Sequence, residues 1–241
     1  MNPMPEPRLF ILLLTATLGA GCAAPLPVLD GKLSTLDDYR QGTAELDAEI
    51  TNWETRFTPV KGDVTFSIVD GDDSGTTIDY STVAVDDTTW TMTLKDRSTF
   101  TWSLQDVGFV CTTNIDVPSG TTSTFDPPLP VVPRTLKPGV PFTAKGKIDV
   151  KNTAPPSDDV ASGTWTITIS HDADVTLKFA DTSYDCTRLK TVYTADLGLA
   201  TVERTSFDFY APDVGWVCEV FTETVTKLII PETTTGTWIR N

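Results

Sequence analysis

Residues 164–170 read TWTITIS. Trp165, Ile167 and Ile169 alternate with Thr164, Thr166, Thr168 and Ser170, a period of two that sends apolar side chains to one face of a strand and hydroxyls to the other. The same pattern returns along the chain. Val64, Phe66 and Ile68 alternate with Thr65 and Ser67, Trp90, Met92 and Leu94 alternate with Thr, and Phe100, Trp102 and Leu104 follow. Turn-forming stretches such as DGDDSG, KDRS, TADLG and APDVG separate these segments at short intervals, which predicts an antiparallel meander with one buried and one Thr-rich face.

Outward from these strands, two longer stretches match. DRSTFTWSLQDVGFVC at 96–111 aligns without gaps to ERTSFDFYAPDVGWVC at 203–218, and DVTFSIVDGDDSGTTIDYSTV at 63–83 aligns to DVTLKFADTSYDCTRLKTV at 174–192 if a loop is shortened. The expectation is of two related β halves, 63–120 and 142–230, forming a curved antiparallel sheet or a sandwich. Residues 121–141 between them are rich in proline, which lacks the ladder donor, so this segment is expected to be an extended crossing rather than a central strand. Residues 231–241 are left as a C-terminal tail.

Upstream of residue 63 the period changes. Leu36, Tyr39, Leu46, Ile50, Trp53 and Phe57 recur at spacings of three, four and seven, with charged residues between them, so 34–58 is predicted to be one N-terminal amphipathic helix capped by Ser34. Its apolar stripe suits docking on the sheet.

The chain opens with a targeting signal. After Arg8 comes LFILLLTATLGA and then Gly21 and Cys22, a short apolar run ending in small residues, so 1–21 is expected to be a signal peptide. Ala20, Gly21 and Cys22 match a lipobox, although Gly19 stands where Leu is usual, and they make Cys22 the expected lipidation site; cleavage by an ordinary signal peptidase is the competing outcome. Residues 22–33 are expected to be a tether, and the protein to be exported and lipid-anchored in the bacterial cell envelope, with the anchor as its membrane contact. With Cys22 lipidated, Cys111, Cys186 and Cys218 remain. Cys186 and Cys218 are the candidate disulfide, but in a meander they stand two strands apart, about 9–10 Å, beyond the reach of an S–S bond. Pairing of Cys111 with either stays open.

YDCTRLK at 184–190, TSFDFYAPDVGWVC at 205–218, DPPLPVVP and KPGVPF resemble a family of uncharacterised bacterial envelope lipoproteins. That family carries a proline-rich "PPL…LP" crossing, a "G…W" strand start and a C-terminal segment of the form WYAPGVGLVK. The likeness covers most of residues 90–230 and departs at Asp213, where Gly is usual, and at Cys218, where Lys is usual. Such proteins are similar in outline to periplasmic lipoprotein carriers, whose curved sheet holds a helix on its concave side, and the resemblance therefore implies an apolar groove for a lipid or an envelope protein partner.

Composition narrows the chemistry. A net charge of −15 repels a phosphate backbone, so no nucleic-acid partner is expected. His171 is the one histidine, read as a solvated residue at a strand end; no G-x-S-x-G elbow, CxxC or HExxH spacing accompanies it, so neither a catalytic triad nor a metal or other cofactor is expected. The acidic loop at 70–75 reads as a polar hairpin turn. Asp106 and Asp213, the carboxylates that recur in the two matching stretches, sit where a tight turn favours Asp. The leading expectation is a non-enzymatic binding or structural module, and the alternative is an acid/base hydrolase with paired carboxylates on the open sheet face.

Overall fold

The computed structural model describes residues 28–29, 50, 53–71, 73–137, 139–179 and 182–241. The targeting signal, Cys22 and most of the predicted helix therefore lie outside the described residues. A short strand β1 (Val28–Leu29) and one turn of helix, α1 (Trp53–Phe57), precede the sheet. The strands that follow are β2 (Gly62–Gly71), β3 (Thr77–Ala84), β4 (Thr89–Leu94), β5 (Ser98–Gln105), β6 (Gly108–Asp116) and β7 (Thr121–Pro133). They continue with β8 (Phe142–Asn152), β9 (Asp159–Phe179), β10 (Thr182–Asp196), β11 (Ala200–Ala211), β12 (Gly215–Lys227) and β13 (Ile230–Arg240).

Each strand from β2 onward pairs antiparallel with the next, and the ladder closes on itself. β8 pairs with β9 from Phe142↔Ile169 onward, and β13 returns to β2 through Gly236↔Gly71, Thr237↔Asp70 and Trp238↔Ile68. The result is a twelve-stranded up-and-down barrel, neither an open curved sheet nor a sandwich. Alternation of apolar and polar residues is common to all three architectures; what distinguishes them is whether the first and last strands meet. The segment 231–241, expected to be a tail, is the strand that makes them meet.

The proline-rich segment is corrected in the same way: its residues 121–133 are a strand of the barrel wall. β7 pairs with β8 only from Thr121↔Asn152 to Asp126↔Lys147, and beyond Pro127 it pairs with β6 alone, through Leu129↔Cys111, Pro130↔Val110, Val132↔Phe109 and Pro133↔Gly108. The prolines thus fall where the strand has one neighbour, so their missing donors cost the sheet little. Between 127–133 and 142–146 the wall is left as a seam without ladder bonds between β7 and β8.

The predicted alternation holds on β4 and along the first half of β9, whereas β10, β11 and β12 are buried on both faces over part of their length. On β4, Trp90, Met92 and Leu94 are buried while Thr89, Thr91 and Thr93 are not, and on β9 Trp165, Ile167 and Ile169 point inward past exposed Thr164 and Thr166. The outer face is Thr-rich on these strands, while β9–β13 carry an apolar cluster of their own on that side. α1 closes one end. Trp53 stacks on Phe109 at 5.0 Å and donates its indole N–H to the Pro133 carbonyl at 3.0 Å, Phe57 meets Tyr210 edge-on at 5.1 Å, and the amide of Asp213 donates to the Thr55 carbonyl at 2.8 Å.

The two matching hairpins, β5–β6 and β11–β12, keep their cross-strand partners, Trp102↔Cys111 and Phe209↔Cys218, but are turned inside out. Trp102 and Cys111 face the barrel interior, whereas Phe209 and Cys218 belong to a second buried cluster on the opposite face, with Phe207, Val220 and Ile239. The other matched pair fits no better. β4 stands between β3 and β5 but nothing stands between β10 and β11, so β2 and β9 run in opposite directions round the barrel while β5 and β11 run in the same one.

Candidate functional site: a cavity inside the barrel

The barrel interior encloses a cavity of about 250 Å³. Eight strands fill a barrel with side chains, and a larger closed barrel leaves room inside. Most of the lining is apolar or aromatic, including Met92, Leu94, Phe100, Trp102, Tyr193 and Trp216. Phe125, Leu129, Pro130 and Val131, from beside the β7–β8 seam, line it too.

A charged cluster is set into this wall. On β11, Arg204, Ser206, Asp208 and Tyr210 share the inward face, and on β12 Glu219 and Glu223 do so on either side of Phe221. Arg204 donates to Glu219 Oε1 at 2.5 Å and to Glu223 Oε2 at 3.2 Å, with its guanidinium 4.1 Å from the centre of the Phe221 ring. Burial works against the Arg204 charge, but the two carboxylates outweigh it and hold the guanidinium protonated. Asp208 has no such cation: it accepts the Ser206 hydroxyl at 2.8 Å, and the Trp216 indole N–H faces it without closing a hydrogen bond. Burial, reinforced by the charge of Glu219, pushes the Asp208 carboxyl up to about 7. Burial likewise pushes Glu223 up to about 7, against the pull of Arg204. Two further polar atoms of the lining, Asn114 Oδ1 and Trp238 Nε1, are buried without a hydrogen-bond partner.

The residues singled out from sequence lie elsewhere. Asp106 and Asp213 are exposed at hairpin tips, Asp213 with a positive φ of 61°, so they serve turns. Cys186 and Cys218, the candidate disulfide, are buried free thiols on β10 and β12 with β11 between them, and Cys111 is a third. Burial pushes the thiols of Cys111 and Cys186 up to about 12. His171 is not solvated: it is 2% exposed in mid-strand, 3.2 Å from Asp174 Oδ1, because β9 bulges at Asp172 and runs on to Phe179 instead of ending. In the acidic loop Asp73 is paired with Arg97.

The cluster itself had a signal in the sequence. Arg204 and Asp208 fall in phase with Val202 and Tyr210, and Glu219 and Glu223 in phase with Phe221 and Val225, so charges occupy the apolar phase of two strands. Charges in that phase point to the interior, where they require a purpose or a partner.

No family model and no curated protein matches the chain. Among solved structures it is similar to the crystal structure of the hypothetical lipoprotein YmcC from Escherichia coli (K12), at 11% identity and a TM-score of 0.39, covering 87% of this chain and 98% of that one.

Proposed function

We propose that this chain is a non-enzymatic binding protein of the bacterial cell envelope, anchored through Cys22, which holds a small, mainly apolar ligand inside its barrel. The observation that carries this reading is the cavity of about 250 Å³ walled by aromatic and aliphatic side chains. A dry cavity of about 150 Å³ is enough for benzene, so this one suits a body of roughly two rings or a short branched chain. The β7–β8 seam offers a way in that breaks no ladder hydrogen bond. The envelope location rests on the apolar run at 9–20 and the small residues before Cys22. The hydrolase alternative asks for two carboxylates free to act on a substrate; here Glu219 and Glu223 share the Arg204 guanidinium, which favours a binding wall over an acid–base pair.

The test is titration of the purified protein with N-phenyl-1-naphthylamine, a neutral apolar fluorophore that brightens out of water. Saturable binding is expected, and Met92→Trp, which fills the cavity with a larger ring, is expected to abolish it while leaving the far-ultraviolet circular dichroism unchanged. Binding that survives the filling of the cavity, or no binding at all, would refute the reading.

A further inference from the structure

The cavity is unevenly supplied with hydrogen-bonding groups. Three carboxylates line it, Asp208, Glu219 and Glu223, against two cations, Arg204 and Arg240. Arg204 is engaged by Glu219 and Glu223, and Arg240 donates to the Val214 carbonyl at 2.7 Å. Among the described residues that leaves Asp208 with a hydroxyl for its partner and no ion pair, the charge of Arg204 offsetting its burial only in part. Asn114, 6% exposed, adds an acceptor atom, Oδ1, without a donor. Two lining donors are also without a partner among the described residues: the Trp216 indole N–H, turned toward Asp208, and the Trp238 indole N–H, which would take a lone pair on the body of the ligand.

Beside Asp208 stands a group of rings. Trp216 lies 5.5 Å from Tyr80 and 4.7 Å from Phe66, and both Trp216 and Tyr80 face the cavity. A buried carboxylate without an ion pair among the described residues, set beside an aromatic cluster in an apolar cavity, is the arrangement that suits an ammonium group, through a charge-assisted hydrogen bond. With a neutral ligand Asp208 neutralises itself by keeping its proton, whereas an ammonium compensates the ionised carboxylate directly.

Deepening the proposal above, and resting on it, we infer that the ligand is an organic amine bound as its cation, with the ammonium at the Asp208 carboxylate against Trp216 and Tyr80 and the apolar body in the remainder of the cavity. Proton exchange follows from this placement. The Asp208 carboxyl, pushed up to about 7, faces Arg204 on its own strand and Glu219 on β12, with Glu223 titrating in the same range, Tyr80 and Tyr210 held neutral well above it, and the Arg240 cation acting on Tyr80 from β13. The ammonium needs Asp208 ionised, so amine affinity rises with pH through 7 for as long as the amine keeps its own proton.

The experiment compares 1-naphthylmethylamine with its neutral isostere 1-naphthalenemethanol by calorimetry at pH 6 and pH 8. The amine is expected to bind roughly tenfold or more tightly than the alcohol at pH 8, as a buried charge-assisted contact would give, and to weaken several-fold at pH 6 while the alcohol does not change. Asp208→Asn is expected to remove both the preference for the amine over the alcohol and the pH dependence of amine binding. Equal binding of the two compounds, or amine affinity that is flat with pH, would overturn the amine assignment and leave the apolar cavity standing; binding of neither would overturn the cavity reading itself. Because the pH comparison uses the unaltered protein, the proposal stays testable even if the Asp208 variant does not fold.

Discussion

Arg204 illustrates how a buried charge is tolerated: Glu219 and Glu223 hold it from one strand and Phe221 lies under its guanidinium, so its charge is countered on the spot. Asp208 and Glu223 meet the same burial with less compensation, and their raised proton affinity ties stability to pH. In the unfolded chain such carboxyls lose their protons near pH 4, whereas in the barrel they keep them up to about 7. Over that window the folded state holds protons that the unfolded state has lost, so stability falls as pH rises and levels off above about 8. The cost is on the order of 4 kcal/mol for Asp208 and on the order of 3 kcal/mol for Glu223. Urea unfolding at pH 5.5, 6.5 and 7.5 is expected to show a falling midpoint, and Asp208→Asn a distinctly flatter dependence. Asp116, also raised by burial, acts in the same sense, while Asp174, where burial is outweighed by its contacts with His171 and Thr187 so that it is lowered, loses its contribution only at more acid pH.

At the level of strands and hairpins, what decides geometry is close approach and bulging. Gly163 on β9 faces the chain at the end of β10, where a Cβ would lie 1.8 Å from the Asp196 carbonyl oxygen. Gly163→Ala must push the two strands apart and is expected to lower stability by about 1–3 kcal/mol, read as a fall in the urea midpoint. Bulges explain why the repeated DVG[FW]VC motif misleads. β5–β6 is closed by the two residues Asp106 and Val107 with a shift at Thr101/Trp102, whereas β11–β12 is closed by three residues, 212–214, with a shift at Phe209/Tyr210. The aligned pairs are kept, yet the two hairpins turn opposite faces to the interior, so Cys111 sees the cavity and Cys218 the outer cluster. The turn itself was legible, because Asp213 and Gly215 are residue types that accept positive φ. The continuation of β9 past His171 was not, since the bulge at Asp172 breaks the alternation on which a strand is recognised.

For the whole barrel, closure rests on β13, which carries Trp238 at 2% and Ile239 at 0% exposure and joins β12 to β2. Deletion of residues 230–241 opens two edges and uncovers the interior, so the truncated protein is expected to lose its near-ultraviolet circular dichroism and to aggregate, whereas a free tail could be removed without effect. Sequence alone determined the class of element, the Thr-rich outer face of strands such as β4 and β9, and the candidate anchor, because a period of two, turn residues and an apolar run before Cys22 are local properties of the chain. It also marked the charges that fall in the apolar phase of β11 and β12. Tertiary structure alone decided that the sheet closes, that the proline-rich segment is part of the wall, and that Arg204, Asp208, Glu219 and Glu223 surround one cavity. Those outcomes depend on pairings such as Trp238↔Ile68, between residues at opposite ends of the chain, and on bulges that shift register by one, neither of which leaves a periodic trace.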